Sequence, residues 1–135
     1  MALDLLQAVK DAACALDEKF GKDIVVLDIS GVSTIADYFI ISEAGNPNQM
    51  QAMVSGAEEA FHKHGLPLRH IEGLQRADWV LMDYGDIIIH IFNSESRTFY
   101  NLERTWRDAS MINLDQDQGQ DLGVLPQTPQ TFEKV

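Results

Sequence analysis

The run Ile87-Ile88-Ile89-His90-Ile91-Phe92 constrains this chain more than any other stretch. Three isoleucines in a row are apolar on both faces of an extended strand, so the strand belongs inside a sheet covered on both sides. The apolar run Trp79 to Met82 precedes it across Asp83-Tyr84-Gly85-Asp86. Two β-rich runs around a Gly-containing turn predict an antiparallel hairpin. Polarity then rises through Asn93-Ser94-Glu95-Ser96, and Phe99, Leu102 and Trp106 recur at helical spacing. A hairpin feeding a short amphipathic helix is expected, with Phe99, Leu102 and Trp106 on its buried stripe. Asp83, Asp86, Glu95, Arg97, Tyr100 and Glu103 are left at the turn and around the helix, where function would be displayed.

The preceding residues supply the rest of such a sheet. Leu5, Val9, Ala12, Leu16 and Phe20 follow the stripe of a first amphipathic helix, with Gly21 placed as a left-handed C-terminal cap. Asp23 to Ile29 reads as a central strand, Ser30 to Asp37 as a loop, and Tyr38 to Glu43 as a second strand. The loop is too short for a helical crossover, so these two strands are expected to be antiparallel. Asn46-Pro47-Asn48-Gln49 starts a second helix, with Asn as N-cap, Pro at N1 and Gln at the capping-box position. Met50, Met53, Val54, Ala57 and Phe61 form its buried stripe, and Gly65 ends it. Leu66 to Glu72, interrupted by Pro67, is a weak strand suited to a sheet edge. It would close a right-handed crossover if it lay parallel and next to the second strand. The whole reads as a single α/β domain, a mixed β-sheet with flanking helices, over residues 1–109.

From Ser110 the composition changes: five glutamines, two prolines, and four acids against Lys134. Residues 110–135 are therefore expected to form a flexible acidic tail that buries too little to order itself.

At 135 residues, 45% hydrophobic and 23% charged, the chain is large enough for one ordinary core. Its apolar runs are too short to span a bilayer as a helix. The acidic N-terminal stretch lacks a basic leader region or a transit composition, so the expected location is cytoplasmic. The sole cysteine, Cys14, excludes an internal disulfide. A net charge of −11 argues against nonspecific nucleic-acid binding, which depends on Lys and Arg meeting phosphates, and favours a basic partner.

Candidate chemistry is sparse. Asp83 and Asp86 could hold a divalent cation or do acid–base work, but Asp and Gly are also what a tight turn selects. His62, His64, His70 and His90 have no zinc spacing, and His90 reads as a hydrogen-bonded histidine on a covered sheet face. Ser94 and Ser96 suit helix capping. There is no P-loop, dinucleotide fingerprint or nucleophile elbow. Arg97 admits two readings, a local salt bridge with Glu95 or Glu103 and a contact to a partner. Trp79 and Tyr100, lying among acids, have the composition of an interface, whereas Trp106 continues the core stripe.

The block Ala77-Asp78-Trp79, Asp83-Tyr84-Gly85-Asp86, His90, Arg97, Tyr100, Leu102-Glu103 and Trp106 strongly resembles the ribosomal silencing factors, also called the Iojap-like family. Ala36-Asp37-Tyr38-Phe39-Ile40-Ile41 and Gln49 resemble that family's second-strand signature, and the likeness covers about Leu3 to Asp108. The resemblance implies a nucleotidyltransferase-like α/β fold without transferase chemistry. Active nucleotidyltransferases carry a Gly-Ser pair and then paired aspartates on a strand; here Gly31 and Ser33 are separated and Asp37 has no second aspartate two residues on, so that catalytic metal site is missing from the sequence. It also implies a translation repressor that binds large-subunit ribosomal protein fourteen and blocks subunit joining, with no cofactor and a homodimer when free. Ribosomal proteins are typically basic, and from Glu72 to Glu95 this chain has five acids against Arg76 alone. The contact residues carried over from the resemblance are Trp79, Asp83, Asp86, Arg97, Tyr100 and Glu103. Two other classes compete: a metal-dependent nucleotidyltransferase using Asp37, Asp83 or Asp86, and an acidic adaptor with another basic partner.

Overall fold

The computed structural model describes residues 5–112 and 114. The chain runs α1 (Leu5–Glu18), β1 (Lys22–Asp28), β2 (Tyr38–Glu43), α2 (Pro47–Lys63), β3 (His70–Glu72), β4 (Trp79–Asp83), β5 (Ile87–Phe92), α3 (Ser94–Tyr100), α4 (Leu102–Thr105) and β6 (Ser110–Met111). The six strands form one mixed sheet in the order β3-β4-β5-β2-β1-β6.

β5 lies at the centre, and all six of its residues are buried. It pairs antiparallel with β4 and parallel with β2, Ile40 lying against Ile89 and Met82 against the same residue from the other side. Alternation sorts the strands onto two cores. Val26, Ile40, Val80, Met82, Ile87, Ile89 and Ile91 face α1 and α2, meeting Val9, Leu16, Met53 and Phe61. Val25, Leu27, Phe39, Ile41, Ile88 and Phe92 face the other way, under Trp79, Leu81, Leu102 and Trp106. The continuous apolar run of β5 is thus explained by cover on both faces.

β1 and β2 are antiparallel as their short link requires, with Val26 opposite Ile40. The Asn46 side chain accepts the Gln49 N–H at 2.8 Å, and Pro47 opens α2. The Gln49 side chain reaches one residue past the N-cap N–H that a capping box would engage. Its Oε1 accepts the Gly45 N–H at 2.6 Å, and its Nε2 donates to the Lys19 and Phe20 carbonyls at 3.0 and 2.8 Å. One side chain therefore ties the start of α2 to the end of α1. β3 is a three-residue edge strand antiparallel to β4, with β4 and β5 lying between it and β2, so the conditional crossover between neighbours is not formed.

The structure departs from expectation at two places. α1 stops at Glu18, and Phe20, placed on the buried stripe by its spacing, is 82% exposed with φ 65°. Phe20, rather than Gly21, takes the left-handed turn. Gly21 is needed for another reason: a Cβ there would lie 2.7 Å from Met53 Cε, 2.8 Å from Ser42 Oγ and 3.0 Å from the Leu16 carbonyl. At the other end, Ser110 and Met111 pair with Asp28 and Leu27, and the Ile112 N–H donates to the Val26 carbonyl at 2.9 Å. Ile112 and Leu114 pack against the helix-side core. The sheet thus continues past the expected boundary at 109, and the remainder of the expected tail, from 115 on, lies outside the described residues.

Gly21→Ala should destabilise the fold by about 1–3 kcal/mol, the ordinary cost of overpacking a filled site. Urea denaturation measures this, and an unchanged midpoint would show that Met53 and Ser42 can yield.

Candidate functional surface

The surface is built where the hairpin hands over to α3. Asn93 caps α3, its side-chain oxygen accepting the Ser96 N–H at 2.8 Å, so the cap lies one residue before the expected serines. The expected single helix is cut at Asn101, which adopts φ 47°, ψ 61°. Asn tolerates this left-handed conformation better than most residues. Its backbone ends α3 on the Arg97 carbonyl, while its side chain caps α4. The interruption rotates the two halves apart. Leu102 and Trp106 still reach the second core, Trp106 meeting the Phe39 ring edge-on at 5.2 Å. Phe99, expected beside them, is turned outward and is 78% exposed.

Phe99 joins a series of rings instead. It lies perpendicular to Tyr100 at 4.9 Å, and Tyr100 rests on Trp79 at 4.5 Å. Trp79 in turn covers Phe92 at 5.0 Å. Tyr100 is 45% exposed, and Trp79 is half-buried at the start of β4. Gly73 supports this geometry, since a Cβ at its φ of 87° would lie 2.0 Å from the Trp79 carbonyl oxygen. Beneath Trp79 sits His90, whose Nδ1 accepts the indole N–H at 3.1 Å. Burial pushes the His90 imidazolium pKa down to about 4, so the ring is neutral at physiological pH.

Arg97 and Glu103 are brought together, but inward. Both Nε and a terminal guanidinium nitrogen of Arg97 donate to Glu103 Oε2, the former at 3.0 Å, and the Arg97 Nη1 donates to the Lys22 carbonyl at 3.3 Å. The side chains are only 10% and 8% exposed. The pair closes the α3–α4 bend and fastens it to the start of β1. Of the two readings open for Arg97, the geometry matches the local ion pair, made with Glu103 and sheltered from water.

Asp83 and Asp86 lie at the far end of the hairpin, four residues along β4 and so about 13 Å from Trp79. Asp83 Oδ1 accepts the Gly85 N–H at 2.7 Å, which is turn chemistry. The Asp86 side chain is exposed, while its carbonyl accepts the N–H groups of Asp37 and Tyr38 at 2.8 and 3.1 Å. Trp79, Leu81 and Asp83 alternate onto one face of β4, with Glu72 opposite Leu81 and His70 opposite Asp83. A half-open strip of sheet, aromatic at one end and carrying Glu72 beside His70 and then Asp83 toward the other, therefore leads from Tyr100 to the turn. Leu81, Glu72 and Phe99 belong to this surface and are not among the expected contact residues; strand register finds the first two, and the Asn101 break finds the third. Among the described residues, no three His, Cys, Asp or Glu side chains come together as a set able to hold a metal ion.

Glu103→Gln leaves the sheltered Arg97 charge without its carboxylate, and should cost ~3 kcal/mol, in the range for breaking such a pair. Chemical denaturation reads this, and a change below about 0.5 kcal/mol would place the pair in the weak class of surface bridges.

A family model described as ribosomal silencing factor during starvation matches residues 2–134. The ribosomal silencing factor of Bacillus subtilis (strain 168) is 39% identical over 107 residues, which cover 79% of this chain and 91% of that protein. A Mus musculus protein named mitochondrial assembly of ribosomal large subunit protein 1 is 30% identical over 95 residues, 67% of this chain and 41% of that one. Among solved structures, a Chromobacterium violaceum protein superimposes with a TM-score of 0.73 at 27% identity, over 79% of this chain and 88% of its own. Matched along nearly its whole length, the chain belongs to the ribosomal silencing factor family.

Proposed function

We propose that this protein represses translation by seating on the large ribosomal subunit, through large-subunit ribosomal protein fourteen, and sterically blocking the small subunit. The supporting observation is the Phe99–Tyr100–Trp79 ring series. These are exposed and half-exposed aromatics beside an acidic strip, the composition of a hot-spot anchor with a charged surround. A basic ribosomal protein complements that strip, consistent with the net charge of −11. The name of the mouse relative points to the large subunit as well.

In this reading the protein acts in the cytoplasm, by occlusion and without catalysis or a cofactor, so inhibition scales with the ratio of protein to ribosomes. The free protein forms a homodimer, as the family resemblance implies. Trp79 and Tyr100 are the anchor, Asp83 and Asp86 supply charge at the strip's far end, and Arg97 with Glu103 holds the bend that presents Tyr100.

Anchor and charge should fail differently. Tyr100→Ala removes contact area at the centre of the anchor and should lower affinity by ~2 kcal/mol, about thirtyfold, mostly through faster dissociation. Asp86→Lys should chiefly slow association and weaken its dependence on salt. Binding kinetics to ribosomal protein fourteen at two salt concentrations, with circular dichroism as the folding control, separates the two. Wild-type binding by folded Tyr100→Ala and Trp79→Ala variants would move the partner to another surface.

A further inference from the structure

His90 is costly where it stands. It is 4% exposed, on the central strand, with Ile41 and Leu81 as its cross-strand neighbours. An indole N–H can only donate, so the 3.1 Å contact with Trp79 requires His90 Nδ1 to be the acceptor. In the neutral ring the proton then sits on Nε2. That atom is buried and meets no protein hydrogen-bond partner among the described residues. An orphaned buried donor destabilises a fold, whereas an apolar side chain of similar size would not carry that cost. The surroundings would suit one, since Phe39 lies edge-on at 4.7 Å and Phe92 is stacked at 6.2 Å. Nε2 therefore gives no reason for a histidine here.

The Nδ1 acceptor gives one. Trp79 is half-buried at the first position of β4, and the His90 contact is the hydrogen bond that holds its indole edge. The Tyr100 ring rests on that indole at 4.5 Å. We propose that His90 is a positioning residue for partner recognition: its Nδ1 fixes the Trp79 indole, and through it the Tyr100 ring, in the orientation the partner meets. This rests on the reading of the Trp79–Tyr100 surface as the contact site. His90 serves binding at the expense of folding.

The test uses the full chain with three variants: His90→Leu, which removes the acceptor; His90→Asn, whose side-chain oxygen can stand where Nδ1 stood; and Trp79→Ala, which reports on the surface itself. Binding to purified large ribosomal subunits and thermal melting are read for each, and the Trp79 indole N–H resonance, identified by its loss in Trp79→Ala, is read for the wild type and the two His90 variants. His90→Leu should melt at or above the wild-type temperature yet bind about tenfold more weakly, with the Trp79 indole resonance moved. His90→Asn should recover most of the affinity and of the resonance position. If folded His90→Leu binds like wild type while Trp79→Ala binds weakly, the positioning role is wrong and the surface stands. Trp79→Ala at wild-type affinity removes the surface and the proposal together. A His90→Leu chain that melts early or does not fold assigns His90 to stability and overturns the proposal, as does weak binding that His90→Asn does not restore.

Discussion

Burial of β5 on both faces is the constraint on which the rest depends. A strand carrying Ile87, Ile89 and Ile91 on one side and Ile88 and Phe92 on the other needs two layers of cover. Helices α1 and α2 provide one layer along its length. Among the described residues, the other face receives the short α3–α4 segment, the loop around Ile29 and Ala36, and Ala109 and Met111. Cover is therefore ample on the helix side and minimal on the second, where the sheet thins toward β4 and β3. The half-open strip of Trp79, Leu81 and Asp83 is a consequence of that asymmetry, and it is where aromatic rings emerge beside acids.

Asn101 determines how that thin cover is used. A continuous helix would have carried Phe99 inward with Leu102 and Trp106. The left-handed residue turns Phe99 out, leaves Tyr100 on Trp79, and lets Arg97 reach Glu103 across the bend. The ion pair and the ring series are two results of one backbone conformation. His90 then meets the same surface from below, its Nδ1 accepting the Trp79 indole N–H from a central strand position.

Much of this was legible from residue order. The hairpin, the central covered strand, the antiparallel β1–β2 pair, the α2 start at Asn46-Pro47 and the β3 edge all follow from period, turn chemistry and capping, and each is present. Trp79 and Tyr100 were legible as an aromatic pair among acids, and their rings do meet, tilted at 4.5 Å. Phe20 and Phe99 were misplaced for a shared reason: helical spacing was counted through a residue that takes positive φ, Phe20 itself in one case and Asn101 in the other. Side-chain period cannot reveal a backbone break when the breaking residue is not glycine. β6 was missed because Ser110–Met111 is two residues long and held by pairing with β1, a long-range contact that leaves no local pattern. The inward turn of Arg97 and Glu103 was invisible for the same reason, since it depends on where the bend lies relative to the sheet.

The central claim is that this acidic, aromatic-edged surface occupies the large subunit and keeps the small one away. Sedimentation of the purified protein with separated ribosomal subunits, followed by transfer to conditions that favour reassociation, tests it most directly. The protein should travel with the large subunit alone and lower the yield of joined ribosomes in proportion to its occupancy. Full reassociation with the protein still bound to the large subunit would contradict occlusion, and sedimentation with neither subunit would contradict the assignment of the partner.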